Sequence, residues 1–139
     1  SLGACGRAGW FAYLSGMRVI VAGSRGITDE AVVLRALRHA WLFEAINPTT
    51  IVSGTARGVD QLGERIAAKN KLRVARFRAA WDLYGKAAGH MRNAQMAGNA
   101  DALVAVWDGK SPGTRNMIQE AKKKNLLVWV EIIPPQTPQ

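Results

Sequence analysis

The chain has 139 residues, 48% of them apolar, with 19 Lys and Arg against 10 Asp and Glu. That length supports one domain with a real core, and that apolar share argues against disorder. A single cysteine, Cys5, excludes an internal disulfide or a Cys-rich zinc site and fits a cytoplasmic setting, and no apolar run approaches the ~18 residues of a membrane span.

Residues 1–16, with the apolar centre "WFAYL", are too weakly basic at their start for a secretory signal and read as an extension before a domain spanning 17–133. The domain opens on "MRVIVA" (17–22), a β-branched run ending in "GSRG". A helix follows, with Val33, Leu34, Leu37 and Trp41 at helical spacing and Thr28 or Asp29 as its cap. "NPT" breaks it before "TIVSG" (50–54), a second strand, and "RGVDQLGERIAAKN" carries Val59, Leu62 and Ile66 on one helical face. "RVARF" (73–77) reads as a third strand, and "YGKAAGHMRNAQMAGN" as a helix weakened by its glycines. "ALVAVW" (102–107) is a fourth strand, and "GTRNMIQEAKKKN" a helix whose lysines suit the negative end of its dipole, with Asn125 at its close. "LLVWVEII" (126–133) is the last strand, and the Pro-rich tail 134–139 cannot continue it.

Strands apolar on both faces and alternating with helices predict an α/β fold. It is a three-layer, Rossmann-like arrangement of about five mostly parallel strands. In such a sheet the loops leaving the carboxyl ends of the strands share one edge, where ligands bind. Three of those loops are small and polar: "GSRG" (23–26), "SGTARGVD" (53–60) and "DGKSPGT" (108–114). Each precedes a helix, whose first N–H groups and dipole favour an anion. Gly23, Gly54, Gly109 and Gly113 allow close approach, Ser24, Ser53, Ser111 and Thr114 add hydroxyls, and Arg25 and Arg57 add charge. The expected ligand is therefore phosphorylated. None of the loops matches G-x-G-x-x-G or G-x-x-x-x-G-K-[ST], so dinucleotide redox chemistry and P-loop hydrolysis are disfavoured and no cofactor is expected. The two histidines stand without acids at metal-ligand or triad spacing, so no metal is expected either.

The blocks "VIVAGSRG", "IVSGTARGVD", "WDLYGKAAGHMRNAQM" and "VAVWDGKSPGTRNMI" run in order from about residue 17 to 130. Together they resemble the SLOG superfamily, the Rossmann-like group of the LOG phosphoribohydrolases and the DNA-processing protein of natural transformation. They look most like its small, stand-alone YspA-like (cpYpsA-related) branch of bacteria and phages. The resemblance implies a nucleotide or nucleotide-derived ligand at the strand edge, and homo-oligomers are common in the superfamily. In LOG enzymes a Gly-Gly-x-Gly-Thr loop holds the phosphate, a following Glu helps cleave an N-glycosidic bond, and a helix Arg assists. Gly113 and Thr114 match that loop and Arg92 of "HMRN", beside Asn93, matches the helix Arg. The Glu is absent: residues 115–118 are Arg, Asn, Met and Ile, which leaves Asp108 as the acid to test in its place.

On this reading Asp60 either accepts from a ribose hydroxyl, or orients Arg25 or Arg92, or simply completes a helix N-terminus. Trp81 and Tyr84 either stack on a base, with Lys86 near its phosphate, or fold back as a lid, and Trp107 offers another wall. Three functions are in play. The leading one is a binding module for a phosphorylated nucleoside derivative. The others are an N-glycosidase acting on nucleoside monophosphates and a single-stranded DNA binder. The last finds few aromatics interleaved with the basic residues.

Overall fold

Residues 16–134 are described by a computed structural model. The extension assigned to 1–16 and the Pro-rich tail fall outside them, apart from Gly16 and Pro134. Five strands form one sheet: β1 (Met17–Gly23), β2 (Pro48–Ser53), β3 (Arg73–Arg76), β4 (Ala102–Trp107) and β5 (Leu127–Ile132). Every neighbouring pair is parallel, and the order is β3-β2-β1-β4-β5. The helices are α1 (Glu30–Glu44), α2 (Val59–Lys69), the single turn α3 (Trp81–Tyr84), α4 (Ala88–Ala97) and α5 (Pro112–Lys123). A 3-10 turn, Gly85–Ala87, joins α3 to α4. Among the described residues no helix is long and apolar enough to cross a membrane.

Alternation along the two central strands builds the three layers. Val19 and Val21 of β1, with Val104 and Val106 of β4, face a cluster completed by Val33, Ala36 and Ala40 of α1 and Val59, Leu62 and Ile66 of α2. Ile20 and Ala22, with Leu103 and Ala105, face the opposite way onto Met96 and Ala97 of α4 and Met117, Ile118 and Ala121 of α5. A strand buried on both faces must be apolar throughout, which is why "VIVA" and "ALVAV" carry no polar residue.

The expected apolar face of α1 is corrected in part. Val33 is buried, but the line against the sheet continues through Ala36 and Ala40, whereas Leu34 and Leu37 are only partly buried and Trp41 is 59% exposed. A row spaced strictly by four residues drifts about 40° per step around a helix, and this drift carries Trp41 out of the interface. Of the two candidate caps Asp29 acts, its Oδ1 accepting from Ala31 N at 3.0 Å. Asn125 sits one position past the cap residue of α5, in the left-handed conformation with φ 57°.

The sheet order reverses between β1 and β4: β1 is followed in sequence by β2 on one side, β4 by β5 on the other. Loops leaving two such strands diverge and open a crevice. At its floor Gly23 pairs with Val106, and a Cβ there would lie 2.0 Å from the Val106 carbonyl oxygen and 2.7 Å from Val59 Cγ2. Gly26, three residues on, has open space around it. Gly23→Ala is therefore expected to cost roughly 3 kcal/mol in chemical denaturation, and Gly26→Ala to stay within about 0.5 kcal/mol of the parent.

Candidate functional site

A cavity of about 400 Å³ occupies the crevice. Gly23, Ser24, Arg25 and Gly26 from the β1 loop form one side, and Ser111, Pro112, Gly113 and Thr114 from the start of α5 form the other. Asp60 of α2 and Arg92, Asn93 and Met96 of α4 complete it. Residues from all four expected blocks thus meet in one place.

The β4–α5 loop is held rigid by its own side chains. Asp108 Oδ1 accepts from the backbone N–H groups of Lys110 and Ser111, both at 2.8 Å, and its Oδ2 accepts from Ser111 Oγ at 2.8 Å. These backbone donors hold the Asp108 carboxyl down at about 2. At neutral pH it is an ionised acceptor with no proton to give, and it lines no part of the cavity. Ser24, almost fully buried, ties the two loops together: its Oγ accepts from Asp108 N at 3.1 Å and lies 3.1 Å from Ser111 Oγ. Trp107, expected as a stacking wall, instead donates Nε1–H to Ser111 O at 3.0 Å, with the Arg115 guanidinium 5.5 Å above its ring.

This scaffold presents the first turn of α5. Pro112 opens the helix, no side chain caps it, and its first backbone bond beyond the turn runs from Arg115 N to Ser111 O. The N–H groups of Gly113 and Thr114 have no acceptor among the described residues, and both residues line the cavity. A Cβ on Gly113 would meet nothing within 4 Å, so the approach to these donors is open.

Across the cavity stands Arg92. Its Nη1 donates to Gly54 O at 2.6 Å and its Nε to Asn93 Oδ1 at 3.1 Å. Asn93, 5% exposed, uses Nδ2 to reach Gly113 O at 3.2 Å and Asn116 Oδ1 at 2.9 Å, locking α4 to α5. Burial pulls the Arg92 guanidinium below its ordinary value, with Asp60 opposing the shift. Asp60 is 5% exposed and accepts from Ala56 N at 3.2 Å. Its removal from water outweighs that bond and the nearby Arg92, lifting its carboxyl to about 6. Gly54 fits between the two: a Cβ there would come within 2.8 Å of Asp60 Oδ2 and 3.0 Å of Arg92 Cζ.

The remaining expected residues are dispersed. Gly54, Arg57 and Trp81 line a neighbouring groove rather than the first cavity, so the second glycine loop reaches that cavity through Ala56 and Asp60 and not through its glycine. Ser53 is spent inside the fold, donating to Glu64 Oε2 at 2.7 Å and accepting from Thr55 N at 3.1 Å. Lys86, Gly109 and Tyr84 line neither space, because the turn after β3 carries Lys86 and Tyr84 outward and the Asp108 bonds fold Gly109 away. Several residues escaped the sequence reading. Gly58, at φ 79°, lets α2 start against the Ser24 and Arg25 carbonyls, each 2.6 Å from where a Cβ would stand. Thr55 takes a left-handed φ of 66°, and Arg78, just past β3, enters the neighbouring groove. Only the glycine in "ARGVD" gave a signal in advance. Among the described residues no group of three His, Cys, Asp or Glu side chains is gathered to hold a metal ion.

Residues 17–84 match the model of the "YspA, cpYpsA-related SLOG family". The "Gene 61 protein" of Mycobacterium phage D29 is 34% identical over 117 residues, covering 80% of this chain and 93% of the phage protein. The chain belongs to the YspA, cpYpsA-related SLOG family. The family match takes in Gly23–Arg25 and Asp60 but stops short of Arg92 and α5, which are placed by the fold. DNA processing protein A (DprA) from Streptococcus pneumoniae superposes on this SLOG domain with a TM-score of 0.60 at 19% identity. The likeness covers 86% of the chain but only 51% of DprA, so the domain spans about half the length of that neighbour.

The raised carboxyl of Asp60 yields a stability test. Its folded value of about 6 lies above the ordinary 3.8, so the folded SLOG domain binds this proton more tightly than the unfolded chain. The ionised form costs stability above pH 6, and the cost vanishes as pH falls towards 4. Asp60→Asn is expected to be more stable than the parent by roughly 1–3 kcal/mol near pH 7.5, an advantage that shrinks as pH falls from 6 and is lost below about pH 3.8, read by urea unfolding. A difference independent of pH would contradict the assignment.

Proposed function

We propose that this SLOG domain is a binding module that captures a nucleotide or nucleotide-derived phosphorylated ligand in the crevice between β1 and β4. The single observation that carries this reading is the uncapped first turn of α5 facing Arg92 across one cavity. The N–H groups of Gly113 and Thr114 supply a fixed positive end for phosphate oxygens, and the Arg92 guanidinium adds charge-assisted bonds from the opposite wall. The cavity volume falls within the roughly 300–1,000 Å³ of small-molecule sites. Both walls are tied in place by Ser24, Asp108 and Asn93, so little ordering cost is added on binding.

One observation favours a second reading, an N-glycosidase: the cavity holds an acid, Asp60, whose carboxyl lies near 6. A group titrating there could give its proton to the departing base as the C–N bond breaks, then take one back from the water that adds to the ribose carbon. DNA, which the pneumococcal neighbour is named for processing, offers the same phosphate chemistry, and a formal charge of +9 suits it.

Calorimetric titration with the four common nucleoside 5′-monophosphates, followed by chromatography of the recovered ligand, separates the readings. Binding with the ligand unaltered is expected, and Arg92→Ala should weaken it about tenfold or more, with circular dichroism confirming the fold. Base release that disappears in Asp60→Asn would instead establish the glycosidase. Binding seen only with single-stranded DNA, and falling steeply with salt, would favour the nucleic-acid reading.

A further inference from the structure

The groove beside the cavity holds about 550 Å³ and shares Arg25, Ala56 and Arg92 with it as a common wall. We propose that this groove is a second anion subsite, and that the ligand carries two phosphoryl groups, one on each side of Arg92. The inference rests on the nucleotide-binding reading and deepens it.

Four guanidinium groups line the groove, from Arg25, Arg57, Arg78 and Arg92, and its lining contains no carboxylate. Elsewhere among the described residues Arg35 lies 3.8 Å from Glu131 and Arg76 lies 2.7 Å from Glu64, while Arg18, Arg38, Arg65, Arg73 and Arg115 do not share a hollow with three other arginines. Among the described residues Arg25, Arg57 and Arg78 have no carboxylate oxygen within 4.0 Å. The adjoining hollow bounded by Arg65, Arg76 and Arg78 contains Glu64, so its charge is partly balanced from within. Four like charges around one hollow repel one another, and an anion seated among them relieves that repulsion. Arg92 cannot swing to serve one side alone, since Gly54 O and Asn93 Oδ1 fix it between the two spaces.

Two further features mark the groove as built for a ligand. Thr55, on its lining, holds a left-handed backbone that a β-branched residue rarely adopts, and such strain collects at ligand clamps. Trp81 stands at the rim, 49% exposed, with its indole edge 3.2 Å from the Cβ position of Gly89. The missing side chain at Gly89 seats the ring beside α4, where its face can cover a sugar or base. A nucleoside monophosphate fills the first space and leaves this one empty. A nucleoside bisphosphate, or two nucleotides joined by a phosphodiester, fills both. That chemistry is shared by a free small molecule and by the phosphorylated end of a strand.

The test titrates the intact protein with adenosine 5′-monophosphate, adenosine 3′,5′-bisphosphate, a 5′-phosphorylated dinucleotide and a 5′-phosphorylated single strand of about twenty nucleotides. The same series is run with the other three bases. At least one two-phosphoryl ligand should bind about tenfold more tightly than its monophosphate. Arg78→Ala and Arg57→Ala, both surface changes, should each weaken that ligand by a larger factor than they weaken the monophosphate. A strand no tighter than the dinucleotide identifies a free small ligand, and a far tighter one identifies a strand; both retain the subsite while the arginine differential holds. Monophosphate binding that depends on Arg92, with no gain from a second phosphoryl group and no differential at Arg57 or Arg78, would overturn the inference and leave the binding module standing. No binding by any member of the series would overturn both.

Discussion

A partly buried guanidinium cannot be left to find its own partners, and the geometry of this site follows from where Arg92 finds them. One nitrogen is held by a carbonyl at the end of β2 and another by the neighbouring Asn93, whose amide in turn grips the start of α5. Three elements are therefore indexed to a single charge. Gly54 leaves room for the guanidinium and the Asp60 carboxyl, which a methyl group there would push aside. Asp60 is placed to balance the charge, yet burial keeps its own ionisation costly. Perturbed acids and bases that face each other in a crevice are a recurring mark of functional sites.

The sheet supplies the other half of the constraint. Because β1 and β4 are neighbours whose chains depart to opposite sides, their following loops separate and expose the first turn of α5. Gly23 lets the two strands meet at their ends, and Ser24 then clips the Asp108 loop to the β1 loop. The result is a crevice whose backbone donors are set by the fold itself. On the proposed reading such donors would recognise the phosphate that many nucleotides share and leave the base to be read by side chains elsewhere.

Much of this was legible in the residues themselves. Apolar, β-branched runs alternating with amphipathic segments pointed to the strands and to their parallel pairing, which buries "VIVA" and "ALVAV" on both faces. The small-residue loops placed Gly23, Ser24, Gly113 and Thr114 at one edge, and the structure gathers all four around one cavity. What escaped depended on contacts distant in sequence. Gly54 read as a phosphate loop glycine, but its neighbours Arg92 and Asp60 are known only once α4 is folded over β2. Asp108 read as a free acid because its three donors belong to loop geometry rather than to composition. Arg78 gave no signal, lying just beyond an edge strand among other arginines. Trp41 misled because a four-residue spacing resembles a buried stripe over one turn and drifts out of it over two.

The most direct measurement of the central claim is the backbone and arginine side-chain amide spectrum of the protein during titration with a nucleoside 5′-monophosphate. The account predicts that the largest changes fall on the Gly113 and Thr114 amides and on Arg92 Nε–H, saturating together with one binding curve. Changes confined to the lysine-rich end of α5, or to surface arginines while Gly113 and Thr114 stay still, would contradict it.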